Sequence, residues 1–219
     1  MKGRKLSRRE FLGLALAGGA ATVGAARALG GSPCWASQEA PSADYALVID
    51  TTKCTCCGAC VEACNLRNEL PGSQSYAHLL ERGDQHVTWF LPVQCQHCAD
   101  PPCATVCPTD ATYIHPSGVV LIDEKLCVGC KYCMVACPYQ ARIFDEERGV
   151  ADKCWLCLSW VLEGESPACV EACVTGARLF GRRDDPDSEV GELIESGMAR
   201  PLHPEFGTRP AVLTYIIDG

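Results

Sequence analysis

Aromatic side chains and Met are scarce in this sequence: aromatics make up 7% of its 219 residues and Met occurs three times. A chain so poor in them cannot offset its conformational entropy through a conventional core, so covalent or coordinate bonds must replace part of the missing burial. Positive charge is also short. A net charge of −8 argues against a nucleic-acid partner, which would call for basic patches. No run of like charge is long enough to mark a disordered tail. The histidines, His78, His86, His97, His115 and His203, show neither H-E-x-x-H spacing nor a nucleophile motif beside them. Glycine-rich phosphate loops and flavin motifs are missing too. No catalytic residue and no second organic cofactor are therefore expected. No apolar run reaches the roughly 18 residues of a membrane span.

The N-terminus carries a different signal. Ser7-Arg8-Arg9-Glu10-Phe11-Leu12 precedes a mild apolar run from Phe11 to Ala26, closed by Arg27 and followed by small residues. This resembles a twin-arginine export signal of the form S-R-R-x-F-L. That route carries proteins already folded around their cofactors. Residues 1–36 are accordingly assigned to a signal segment, and the protein is expected outside the cytoplasm. Cys34 does not follow the Leu-small-small triplet of a lipoprotein site.

What the chain has in excess is cysteine, 18 residues, a density that marks a disulfide or metal scaffold. Apart from Cys34 and Cys56 they fall into four quartets. Cys54, Cys57, Cys60 and Cys64 are spaced x2, x2, x3, and Cys127, Cys130, Cys133 and Cys137 repeat that spacing. Cys95, Cys98, Cys103 and Cys107 are spaced x2, x4, x3, and Cys154, Cys157, Cys169 and Cys173 are spaced x2, x11, x3. Disulfides would suit an exported chain, but they need no recurring spacing, and adjacent Cys56-Cys57 fits them poorly. Zinc uses paired C-x2-C knuckles, without a third Cys at x2 and a fourth at x3. Iron–sulfur clusters account for the pattern: C-x2-C-x2-C wraps one cluster, and in two-cluster ferredoxins the fourth Cys reaches the other. Gly58 and Gly129 sit inside these loops, where a residue without Cβ permits a tight turn. Sixteen cysteines make the ligand set of four cubane clusters.

Short β-type segments separate the quartets. Ala46–Asp50 leads into the first, and Thr112–His115 and Val119–Ile122 flank a Pro116-Ser117-Gly118 turn. Arg142–Phe144 and Gly149–Asp152 form a second hairpin. Residues 67–92 are an insertion ending in the aromatic strand "HVTWFLP", and "ARLFG" is a strand after the last quartet. Asp185, as N-cap before Pro186, opens a helix running to about Gly197, and "RPAVLTYIID" is a terminal strand. The fold class expected is α+β: two bacterial-ferredoxin-like modules over residues 37–181, then a C-terminal helix and strand over 182–219.

With "CQHCADPPCATVCP", "ADKCWLC", "PACVEAC" and "LHPEFGTRPAVL", the chain resembles the four-cluster ferredoxin-like electron-transfer subunits of respiratory oxidoreductases. That family includes the beta subunits of dimethyl-sulfoxide, thiosulfate, polysulfide and tetrathionate reductases and the iron–sulfur protein of formate-dependent nitrite reduction. The resemblance implies a non-catalytic subunit with four [4Fe–4S] clusters and nested ligation. One cluster takes Cys54, Cys57, Cys60 and Cys173, and its neighbour Cys64, Cys154, Cys157 and Cys169. The third takes Cys95, Cys98, Cys103 and Cys137, and the last Cys107, Cys127, Cys130 and Cys133. It also implies anaerobic respiration in the periplasm, with an integral-membrane quinone-reactive subunit and a molybdopterin or multihaem catalytic subunit as partners. A freely diffusing periplasmic polyferredoxin is the alternative. Cys56 reads as a bystander, Trp155 and Trp160 as cluster cover, and His97 as a packing or hydrogen-bonding residue. Lys53, Lys125, Lys131 and Lys153, each within two residues of a ligand Cys, are candidate potential-tuning charges or else solvated loop lysines.

Overall fold

Ala46, Leu47, Val48 and Ile49 are all fully buried. A strand covered on both faces belongs in the middle of a sheet, and there it lies. In the computed structural model, which describes residues 45–83, 88–185, 187–210 and 213–216, strand β1 (Tyr45–Asp50) is central in a three-stranded sheet. Its neighbours are antiparallel β8 (Arg178–Arg182) and parallel β9 (Leu213–Ile216). Leu47 and Ile49 face Leu91, Val93, Leu156 and Tyr215. Ala46 and Val48 face the opposite way, onto Val190, Leu193, Ile194 and Ala199. The signal segment lies outside the described residues.

The quartets are strung between hairpins. Helix α1 (Ala59–Arg67) follows the first cysteine loop. The hairpin of β2 (His78–Gly83) and β3 (Thr88–Val93) fills the insertion, and its first strand is an addition to the sequence reading. Helix α2 (Pro102–Thr105) leads to the hairpin of β4 (Thr112–Ile114) and β5 (Val120–Ile122). Helix α3 (Tyr132–Ala136) leads to β6 (Ile143–Asp145) and β7 (Val150–Asp152). Both hairpins match the expected pairs within a residue or two. Short helices α4 (Leu158–Leu162) and α5 (Ala168–Glu171) precede β8.

The C-terminal helix needs a correction. Helix α6 runs Glu189–Glu195 with Ser188, not Asp185, at its N-cap. The Asp185 carboxylate accepts the N–H of Asp187 at 3.0 Å, and its carbonyl accepts the Ser188 N–H at 3.0 Å. Asp185 thus closes a local turn before the helix, as short polar side chains do when they compete with helical hydrogen bonding. Pro186 lies outside the described residues. The expected stop holds, with Gly197 at φ 72°. Helix α6 packs on β8 and β1. The mixed helix and strand content fits the α+β expectation.

Candidate metal centre

Each quartet opens on a C-x-x-C step, and the residue before its second cysteine is left-handed in all four. These are Cys56 (φ 58°), His97 (46°), Gly129 (66°) and Leu156 (57°). Such turns aim successive amide N–H groups to one side of the loop, the geometry of an anion-binding nest. Gly129 is held to glycine twice over, because a Cβ there would strike the Gly149 carbonyl. The third cysteine of every quartet is then the second residue of a short helix: Cys60 in α1, Cys103 in α2, Cys133 in α3 and Cys169 in α5.

The fourth cysteines sit at or beyond the helix ends, except Cys64, which stays within α1. Burial alone would raise the Cys107 thiol. The N–H groups of Thr112, Thr109 and Ala111 and the Thr109 hydroxyl bring it below its ordinary value instead. Cys173 repeats this against burial, through the Thr175 hydroxyl and the N–H groups of Arg178, Ala177 and Thr175. The two hydroxyls stand 3.8 and 3.7 Å from their sulfurs.

Packing of α1 on α5 and of α2 on α3 gathers the thiols into sets. Cys54, Cys57, Cys60 and Cys173 line one hollow, with Cys56, Pro92 and Arg178. Cys64, Cys154, Cys157 and Cys169 line a second, with Gln94 and Trp155. Elsewhere Cys95, Cys103 and Cys137 act together on Cys98, whose thiol is pushed up to about 12, first by burial. Cys133 is raised by burial and then by Cys103 and Cys127. Cys130 is exposed. The sets also adjoin one another in a single order: Cys60 and Cys169 share one packed cluster, Cys64 and Cys154 share another with Cys95 and Cys98, and Cys103 and Cys133 share a third.

Every cysteine among the described residues is a free thiol. Among those residues no set of three or more His, Cys, Asp or Glu side chains converges closely enough to hold a single metal ion. The thiols of two sets line hollows, the arrangement that a multi-iron cluster requires. Burial, then Cys169 and Cys157, push Cys64 up to about 12. Thiols so suppressed ionise only beside a cation, which bound iron would supply. The donor set, the nests and the hollows fit [4Fe–4S] clusters.

The candidate lysines divide. Lys53 and Lys131 are half-exposed and paired with Asp50 (3.1 Å) and Glu146 (3.4 Å), and Lys125 is exposed. Lys153 is buried and donates to the carbonyls of Val120 and Cys154. His97 is fully buried, and its Nδ1 accepts the Val120 N–H at 3.2 Å. Burial first, then Lys153, hold its pKa well below the ordinary value, so the ring is neutral. Trp155 covers the second hollow and donates to Asp152 at 2.6 Å. Trp160 instead stacks under Arg67, 5.4 Å away. Two buried cations escaped the sequence reading: Arg142 and Arg178. The signal for them was there, since each stands five residues after the last Cys of its quartet, in "CPYQAR" and "CVTGAR".

Comparison with known proteins agrees with this geometry. Residues 86–183 match the model of the 4Fe-4S dicluster domain. A tetrathionate reductase subunit of Salmonella typhimurium is 39% identical over 186 residues, covering 81% of this chain and 74% of its own. A sulfite dehydrogenase subunit of Allochromatium vinosum is 41% identical over 192 residues, covering 76% and 80%. The thiosulfate reductase electron transfer subunit PhsB of Salmonella typhi is 39% identical over 150 residues, covering 65% and 78%. The chain belongs to this family of 4Fe-4S electron-transfer subunits. Its members include iron–sulfur subunits of oxidoreductase complexes, and the ferredoxin-like 4Fe-4S domain covers three of the four quartets here.

Proposed function

We propose that this chain is the non-catalytic electron-transfer subunit of an extracytoplasmic respiratory oxidoreductase. Its sixteen quartet cysteines would hold four [4Fe–4S] clusters, which supply one-electron transfer between a quinone-reactive integral-membrane subunit and a molybdopterin or multihaem catalytic subunit. The ligand sets are Cys54, Cys57, Cys60 and Cys173; Cys64, Cys154, Cys157 and Cys169; Cys95, Cys98, Cys103 and Cys137; and Cys107, Cys127, Cys130 and Cys133. The two hollows support the first two sets.

One observation carries the reading: the thiol sets follow one another in single file, and both end sets surface. Cys57 is exposed in the first and Cys130 in the last. Apolar side chains lie bare beside each: Val174 next to Cys173 at one end, and Val128, Tyr132 and Val135 at the other. A single file with two open, apolar ends suits a relay between two partners. A storage protein would gain nothing from either opening.

The twin-arginine segment supports export after cluster insertion. Among the described residues no helix is long and apolar enough to cross a membrane, and the reading has the chain held at the membrane by its partner. The test is an anaerobic pull-down of the tagged protein from gently solubilised membranes, with mass spectrometry and assays for iron, molybdenum and haem. Co-purification of a multi-pass chain and a molybdenum- or haem-bearing chain is the expected result. Recovery of the protein alone, with about sixteen iron, would overturn the subunit reading in favour of a diffusing polyferredoxin.

A further inference from the structure

The ligand sets leave two buried guanidiniums without a role. In "CPYQAR" and "CVTGAR" the third residue after the cysteine is left-handed, Gln140 at φ 50° and Gly176 at 66°. A buried alanine follows, Ala141 or Ala177, and then the arginine, with Arg142 6% and Arg178 3% exposed. The same turn thus delivers one charged side chain into each half of the thiol array.

A buried charge needs a partner, yet what these two meet in the protein is thin. Arg178 Nη1 donates to Gln94 Oε1 at 2.9 Å, and Arg142 Nη1 donates to Thr112 Oγ1 at 3.3 Å. Nη2 of both is buried with no acceptor among the described residues. Sulfur is what surrounds them. Arg178 lines the hollow of Cys54, Cys57, Cys60 and Cys173. The Gln94 amide that it holds turns Nε2 toward Cys154 Sγ, 3.8 Å away, at the second hollow. Burial would depress both guanidiniums, but Cys169 and Cys60 outweigh it at Arg178, and Cys103, Cys133 and Cys95 at Arg142.

We propose that Arg178 and Arg142 are internal counter-charges of the relay, Arg178 between the first and second cluster sites and Arg142 between the third and last, each turning its free Nη2 toward cluster sulfur and setting the potentials on either side. The proposal rests on the cluster reading above. Reduction adds one electron to an already anionic site, so a fixed cation nearby favours the reduced form and raises the potential. No proton moves with that electron, because a guanidinium keeps its charge throughout. Lys53 and Lys131 are half-exposed and already paired, so solvent and salt screen them. The buried arginines act undiminished.

The experiment is an anaerobic redox titration of the full chain, followed by electron paramagnetic resonance, with iron assayed on every sample. Arg178→Gln is expected to weaken reduction of at least one cluster tenfold or more, a fall of about 59 mV for a one-electron couple. Arg142→Gln is expected to move a different cluster by a similar amount, and Arg→Lys at either site to retain most of the wild-type potential. Fully iron-loaded Gln variants with wild-type potentials would overturn the assignment, and so would Lys variants that shift as far as Gln. Should a Gln variant lose iron, pulsed resonance on reduced wild-type protein carrying [15N]arginine decides. Guanidinium nitrogen coupled to a cluster upholds the proposal, and its absence defeats it. Wild-type protein without iron would instead sink the cluster reading itself.

Discussion

At the scale of single residues, coordination chemistry dictates more than packing does. The second residue of each C-x-x-C gap must turn left-handed, whatever its type, and Cys56 occupies that place beside His97, Gly129 and Leu156. It is therefore a turn residue, although it lines the first hollow. Cys56→Ser is expected to leave iron per chain unchanged by direct assay, whereas Cys57→Ser costs one cluster. Gly129→Ala combines a left-handed L-residue with a clash on the Gly149 carbonyl. The backbone conformation alone costs about 1–2 kcal/mol, so a clear drop in the denaturation midpoint and loss of iron from the last set should accompany it. The cysteine pattern was legible because a cluster imposes spacing along the chain. Arg142 and Arg178 were not, because their meaning comes from partners distant in sequence. Gln94 reaches Arg178 across 84 positions.

At the scale of elements, the parts that bury little show least in the pattern. Strand β2 reads "HLLERG" with only its middle half-buried, so no alternation announced it, and it exists by pairing with β3. The hairpins β4–β5 and β6–β7 were visible through Gly118 and Gly149, both at positive φ. What ties them in was not visible. The Asp152 carboxylate, 2% exposed, accepts from the Tyr76 hydroxyl at 2.5 Å, Trp155 Nε1 at 2.6 Å and Arg148 Nη2 at 3.0 Å. It joins β7 to the insertion and to the fourth quartet. Asp152→Ala strands those donors and should destabilise the holo-protein by about 3 kcal/mol in denaturant titrations. Val190, 2% exposed on α6, covers Ala46 and Val48. Truncation to Ala should cost about 2 kcal/mol, without altering the visible absorbance of the clusters.

For the whole molecule, cofactor and core are one. Cys60 and Cys169 pack with Leu47, Leu91 and Tyr215, and Cys64, Cys95, Cys98 and Cys154 with Tyr76 and Tyr139. Removal of iron by chelation under oxidising conditions should therefore abolish the near-ultraviolet circular dichroism along with the brown colour. Activity at the surface separates from this. Val135→Glu, at a side chain 88% exposed, should weaken partner capture at least tenfold, about 1.4 kcal/mol, with iron content intact. The order of strands carries a further consequence. β1 is the first described strand, yet both its neighbours, β8 and β9, belong to the far end of the described chain. While the nascent chain is still emerging from the ribosome, the first cysteine loops have been made, but the strands that clasp β1 have not. Non-local pairing of this kind is slow to form. The clasp on β1 thus shuts only after the ribosome has delivered the last strand, and the first hollow, which needs Cys173, is completed just as late.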